Sequence, residues 1–150
     1  MGAREDIARL LKEAAASIKR DAKGAVAKLE IAYGLARESG DADDTAVVAE
    51  ELSRAWARRK SSARALHYAR KATKLAPEQK ATWATLAKAC ELVASRTSSK
   101  AKQRRARALY RAAAAAFKKA GALTKDPEDK RWLLELAGDA ARQARPPESN

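Results

Sequence analysis

The stretch LHYARKATKLAPEQKATWATLAKAC, residues 66–90, decides the fold. Leu66, Ala69, Ala72 and Leu75 recur at the spacing of an apolar stripe on a helix. The pattern stops at Pro77, which lacks an amide hydrogen and disfavours helical geometry in the residue before it. Five residues separate that proline from Trp83, and Trp83, Leu86, Ala87 and Cys90 open a second stripe. A helix, an abrupt stop and a new helix mark the boundary between two helical hairpins.

The same grammar extends in both directions. Upstream, Ile7, Leu10, Leu11, Ala14, Ala15 and Ile18 predict a first helix. Asp21 is placed to cap a second, which carries Val26, Leu29, Tyr33 and Ala36 and stops at Gly40, a left-handed C-cap. A third helix starts among Asp41, Asp43 and Asp44 and buries Val48, Leu52, Ala55 and Trp56. Ser62 is placed to cap the fourth. Downstream, the fifth helix is expected over 78–94, the sixth over 99–120 with Gly121 as its stop, and the seventh from Pro127 with Leu133, Leu136, Ala137 and Ala140 inward. Trp56, Trp83 and Trp132 all fall on apolar stripes and read as core.

Composition agrees. Alanine, leucine, lysine, arginine and glutamate dominate, and strand-forming β-branched and aromatic residues are scarce. A chain of 150 residues suits one compact domain, expected over 1–144, followed by a polar tail, 145–150, that carries two prolines and is expected to be disordered.

The spacing of Leu52, Trp56, Ala65, Ala69, Ala72, Leu75 and Pro77 resembles the tetratricopeptide repeat (TPR). In that family small residues in the second helix let the paired helices approach closely, and the proline closes the repeat. Trp83, Leu86 and Ala87 stand where the next repeat has Trp-x-x-Leu-Gly, with alanine in place of glycine. The resemblance covers residues 47–90. The first hairpin, 4–40, keeps the amphipathic pattern without the signature, and is more weakly similar to the three-helix microtubule-interacting and transport domain. The third hairpin has extra residues around 95–103. The implied fold is all-α: about seven helices in antiparallel hairpins, stacked as a short TPR-like right-handed solenoid. A different helical bundle is the competing topology.

One cysteine, Cys90, excludes an internal disulfide, and a single histidine, His67, leaves too few ligands for a His/Cys zinc site. His67 shares a basic stripe with Arg64, Lys71 and Lys74 and has no orienting carboxylate near it in sequence. No phosphate loop, paired-carboxylate motif or metal-ligand spacing occurs. The expectation is a non-enzyme without cofactor or metal. No apolar run is long enough to span a membrane, the N-terminus has acids where a signal peptide needs an apolar core, and Asp6 stands where myristoylation needs serine or threonine. A soluble, cytoplasmic protein is expected.

The formal net charge of +13 points to partners. Ten basic residues and no acid lie between Leu92 and Lys125. Lys100, Arg104, Arg107, Arg111 and Lys118 are expected to share a narrow arc of the sixth helix, opposite Leu109, Ala113, Ala116 and Ala120. Mapped through the TPR resemblance, the partner groove presents Glu50, Glu51, Arg54 and Arg58, then Thr85, Lys88 and Glu91. The first reading is therefore a protein-interaction adaptor whose Arg54, Arg58 and Lys88 grip an acidic partner segment. The chaperone-tail clamp of that family needs asparagines, and Asn150 is the sole asparagine. The second reading is sequence-nonspecific nucleic-acid binding through the basic stripe, although only Tyr110 interleaves an aromatic with it. The third is self-association, in which the acids at 41–51 neutralise the stripe of another copy. A solvated face that binds nothing is the bland alternative.

Overall fold

The computed structural model describes residues 2–96 and 99–146. Among the described residues there are seven α-helices: α1 (Ala3–Ser17), α2 (Ala22–Ser39), α3 (Ala42–Arg58), α4 (Ser62–Leu75), α5 (Lys80–Ser95), α6 (Gln103–Leu123) and α7 (Pro127–Gln143). A 3-10 turn, Lys100–Lys102, precedes α6. Among the described residues there is no strand. The final four positions of the expected tail, 147–150, lie outside the described residues.

The chain divides into two compact units at Pro77, the residue that stopped the helical pattern in the sequence. In the first unit, Met1–Pro77, α1 packs on α2, α2 on α3 and α3 on α4. In the second, Glu78–Asn150, α6 packs on both α5 and α7.

The caps explain the boundaries of the first unit. Asp21 accepts a hydrogen bond from the Gly24 amide at 2.9 Å, and Asp41 accepts one from the Asp44 amide at 2.9 Å. Gly40 closes α2 with φ +75°, a conformation that favours glycine. The α3–α4 turn differs from expectation. Lys60 takes the left-handed position at φ 63°, while the Ser61 amide donates to Trp56 O and the Lys60 amide to Ala57 O, a Schellman turn. Ser62 is thus the first helical residue rather than the cap, and Ser61 at the cap position makes no side-chain bond.

Packing in the first unit rests on small residues. Ala55, Ala65, Ala69 and Ala72 are fully buried, so the α3 and α4 backbones approach closely. Ser53 Oγ crosses that interface and donates to Ala65 O at 2.7 Å. Leu29, Leu52 and Val48 supply bulk, each buried aliphatic side chain contributing about 1.5–3 kcal/mol. Tyr68 on α4 donates its hydroxyl to Glu30 on α2 at 3.0 Å and meets Tyr33 edge-on at 5.6 Å. Burial first, then that hydrogen bond, pushes the Tyr68 phenol up to about 12.

In the second unit Asp126 caps α7, accepting from the Glu128 amide, and Pro127 takes the first helical position. Phe117, 1% exposed, is its largest fully buried side chain. Two expectations fail here. Gly121 does not stop α6. It is buried within the helix, which runs on to Leu123, and it faces α7, where a methyl group on it would sit 3.5 Å from a Leu134 methyl. That distance is ordinary van der Waals contact, so Gly121 is a packed position against α7, and Thr124 is the true cap. Trp132 is 53% exposed rather than core, because Leu133, Ala137 and Ala140 define the buried face of α7. Leu134 is also exposed.

Candidate functional site

The expected groove residues fall in both units. On α3 of the first unit, Glu50 is buried at 7% exposure, with its carboxylate 3.7 Å from an Arg54 guanidinium nitrogen. Burial outweighs that ion pair and raises the Glu50 pKa above the ordinary glutamate value. Glu51 takes the other side of the same guanidinium. Arg54 is therefore held between two carboxylates and is not a free cation for a partner. Arg58 is exposed and joins Glu51 and Arg54 beside Leu11, Ile18 and Leu29 around a recess of about 220 Å³.

On α5 of the second unit, Thr85 is buried and lines no open groove, contrary to expectation. A threonine facing a neighbouring helix reads in sequence like one facing solvent. Lys88 is exposed, stands 6.0 Å above the Trp132 ring, and shares a recess of about 340 Å³ with Glu91 and Tyr110. Burial raises the Glu91 pKa, and the Lys88 charge opposes that rise. Lys88 is thus partly compensated as well.

The stripe behaves differently. Arg104, Arg111 and Lys118 are exposed along α6, and Arg107 is half-buried on the same side. Lys100 is exposed but sits on the 3-10 turn, outside the regular arc of α6 that its spacing implied. Opposite them Leu109, Ala113, Ala116 and Ala120 are buried, as the periodicity required. Among the described residues none of the five makes an ion pair, whereas four cations of the first unit do: Arg9 with Asp6 and Glu13, Lys28 with Glu13, Arg4 with Asp44, and Arg54 with Glu50 and Glu51. From Arg104 to Lys118 the helix rises about 21 Å. The result is a linear, uncompensated positive face. Tyr110 is half-buried in the recess with Lys88, so it is not a stacking platform on the stripe.

The acidic pole has internal work. Asp41 caps α3, Asp44 meets Arg4 at 3.7 Å, and Glu50 and Glu51 hold Arg54. Trp56 is flanked by the Arg59 and Arg64 guanidinium groups at 5.1 and 4.4 Å. Among the described residues no cluster of three or more His, Cys, Asp or Glu side chains is placed to hold a metal, and no helix is long and apolar enough to cross a membrane.

Arg145, just past the end of α7, escaped the sequence reading because it lay in the expected tail. It closes a groove between α6 and α7 whose rim also carries Arg111 and Lys118.

No protein-family model matches the sequence, and no curated protein matches it. Among solved structures, the chain is similar to the TPR domain of Sgt2 from Aspergillus fumigatus, with a TM-score of 0.64 over 96% of this chain and 87% of that one, at 20% identity. The hairpin order, the buried small residues of α4 and the proline at the repeat boundary agree with that likeness. The fold is therefore that of a TPR domain, an all-α array of helical hairpins.

Proposed function

We propose that this protein is a non-enzymatic interaction module that binds an acidic segment of a protein partner through the basic face of α6. One observation carries the reading: among the described residues the cations of that face, Arg104, Arg111 and Lys118 exposed and Arg107 half-buried, make no ion pair, while Arg54 of α3 is already held by Glu50 and Glu51. Like charges three and four residues apart on a helix repel one another, and a bound acidic segment relieves that repulsion. The fold supports a protein partner, since helical-hairpin arrays build extended binding surfaces. The expected contribution of Arg54 and Lys88 is correspondingly small.

Nucleic acid is the second reading, favoured by the length of the unpaired stripe. The half-buried position of Tyr110 weighs against single-stranded binding, which draws on stacked aromatics.

The test is fluorescence anisotropy with a labelled glutamate-rich peptide and a labelled random oligonucleotide across a salt series. The peptide is expected to bind, and Arg104→Glu/Arg107→Glu/Arg111→Glu to weaken it at least about tenfold. Arg54→Ala/Arg58→Ala should leave it nearly unchanged. Tighter, steeply salt-dependent oligonucleotide binding would shift the reading to nucleic acid. Loss on changing Arg54 and Arg58 instead would move the site to α3.

A further inference from the structure

The basic face of α6 ends in a shaped feature. Toward the C-terminus of α7, the α6–α7 pair leaves a groove of about 430 Å³. Its floor is methyl groups, from Ala114 and Ala144, which are buried, and from Ala141 at its edge. Its rim carries Arg111, Lys118 and Arg145, and among the described residues no acidic one lines it. Arg111 and Lys118 are separated by about 10.5 Å along the α6 axis, two helical turns.

We propose that this groove seats an acidic amphipathic helix of the partner protein, with carboxylates at i and i+7 meeting Arg111 and Lys118 and apolar side chains between them on the alanine floor. The inference rests on the function proposed above and gives it a geometry. A floor without bulky side chains lets a third helix approach to the 8–10 Å interaxial distance, roughly, that close packing needs. The rim matches carboxylates in sign and in spacing, since i and i+7 on one helix are also two turns apart. The planar guanidinium groups of Arg111 and Arg145 suit bidentate pairing with a carboxylate. Nucleobases find neither an aromatic platform nor a side-chain hydrogen-bond acceptor among the groove residues. The position is also distinct from the recess among Leu11, Leu29 and Arg58 in the first unit.

The test uses the full chain and two labelled peptides of about 20 residues. One places glutamates at i and i+7 with leucines between them on the same helical face. The other has the same composition scrambled. Three variants accompany them: Ala141→Leu, which fills the groove from an exposed position without altering charge; Lys118→Glu/Arg145→Glu; and Arg104→Glu, on the same face but outside the groove. Circular dichroism checks that each variant is folded, and amide chemical shifts of the unsubstituted protein locate the bound peptide independently.

The expected result is that the patterned peptide binds at least about tenfold more tightly than the scrambled one. Ala141→Leu and the double charge reversal each remove that preference, Arg104→Glu weakens both peptides alike and leaves the preference in place, and the shifts centre on Ala114, Ala141 and Ala144. If both peptides bind equally, Ala141→Leu is silent and Arg104→Glu weakens binding as much as Lys118→Glu/Arg145→Glu, the groove is refuted while the basic-face function stands. If neither peptide binds, both fall.

Discussion

Replacing Arg107 with glutamate should make the second unit more stable and its binding weaker. Arg104 lies three residues before Arg107 and Arg111 four after, so both are helix-surface neighbours. The change removes two like-charge contacts and creates two opposite-charge ones, with the acid N-terminal to Arg111 in the favoured order. At about 0.2–0.5 kcal/mol per pair, four such changes sum to roughly 1–2 kcal/mol, and the lower end is expected because Arg107 is half-buried and its aliphatic stem packs. Urea denaturation followed by circular dichroism, at low salt and again at about 1 M salt, where the screening length shrinks to about 3 Å, reads the effect. Trp83 and Trp132 fluorescence reports the second unit, with Trp56 reporting the first. A gain of about 1 kcal/mol would raise the melting temperature of a unit this size by about 4–8 °C, and the gain should vanish in high salt. Unchanged or lower stability at low salt would refute the reasoning, because Arg107 would then hold a favourable contact and the stripe would not be uncompensated.

Other positions test the fold. Gly34 lies inside α2 with open space where a Cβ would go, so Gly34→Ala should stabilise by about 1 kcal/mol. Gly40→Ala should destabilise and Lys60→Gly stabilise, each by about 1 kcal/mol, because both sites have positive φ; thermal melts separate the signs. Ala69→Leu should cost about 1–3 kcal/mol by overpacking a fully buried site on α4, read from the urea midpoint. The raised Glu50 pKa means the native state holds that proton more tightly than the unfolded chain. This contribution is fully present below the unfolded value and is lost as pH rises through the native one. Glu50→Gln removes it, so the variant's stability relative to the parent should climb between about pH 4 and pH 7. A flat difference across that range would sink the assignment.

Most boundaries were legible because each carried local chemistry. Asp21, Gly40, Asp41, Pro77 and Pro127 act through their own backbone or a bond within three residues. What failed depended on partners distant in sequence. Gly121 looks like a stop until α7 is placed against it. Trp132 and Leu133 are adjacent and both apolar, and only the direction of α6 decides which is buried. Thr85 was misplaced for the same reason. The basic stripe was visible as a block without acids, yet its groove was not, since Arg145 joins Arg111 and Lys118 only through the α6–α7 pairing. The Glu50–Arg54 pair was legible too, since the two stand at i and i+4, the spacing of a helix-surface ion pair.

The alanines that let these helices approach have a thermal consequence. Apolar hydration gives unfolding its large positive heat capacity, at about 0.45 cal/K/mol per Å² of apolar surface exposed. A core in which Ala25, Ala32, Ala36, Ala49, Ala55, Ala65, Ala69, Ala72, Ala113 and Ala120 are buried exposes little such surface per residue when it opens. Its heat capacity change should fall below the usual figure of about 12–15 cal/mol/K per residue, which scanning calorimetry can measure. A smaller value flattens the curve of stability against temperature, so the module should hold its shape across a wide thermal range without needing great stability at any one point.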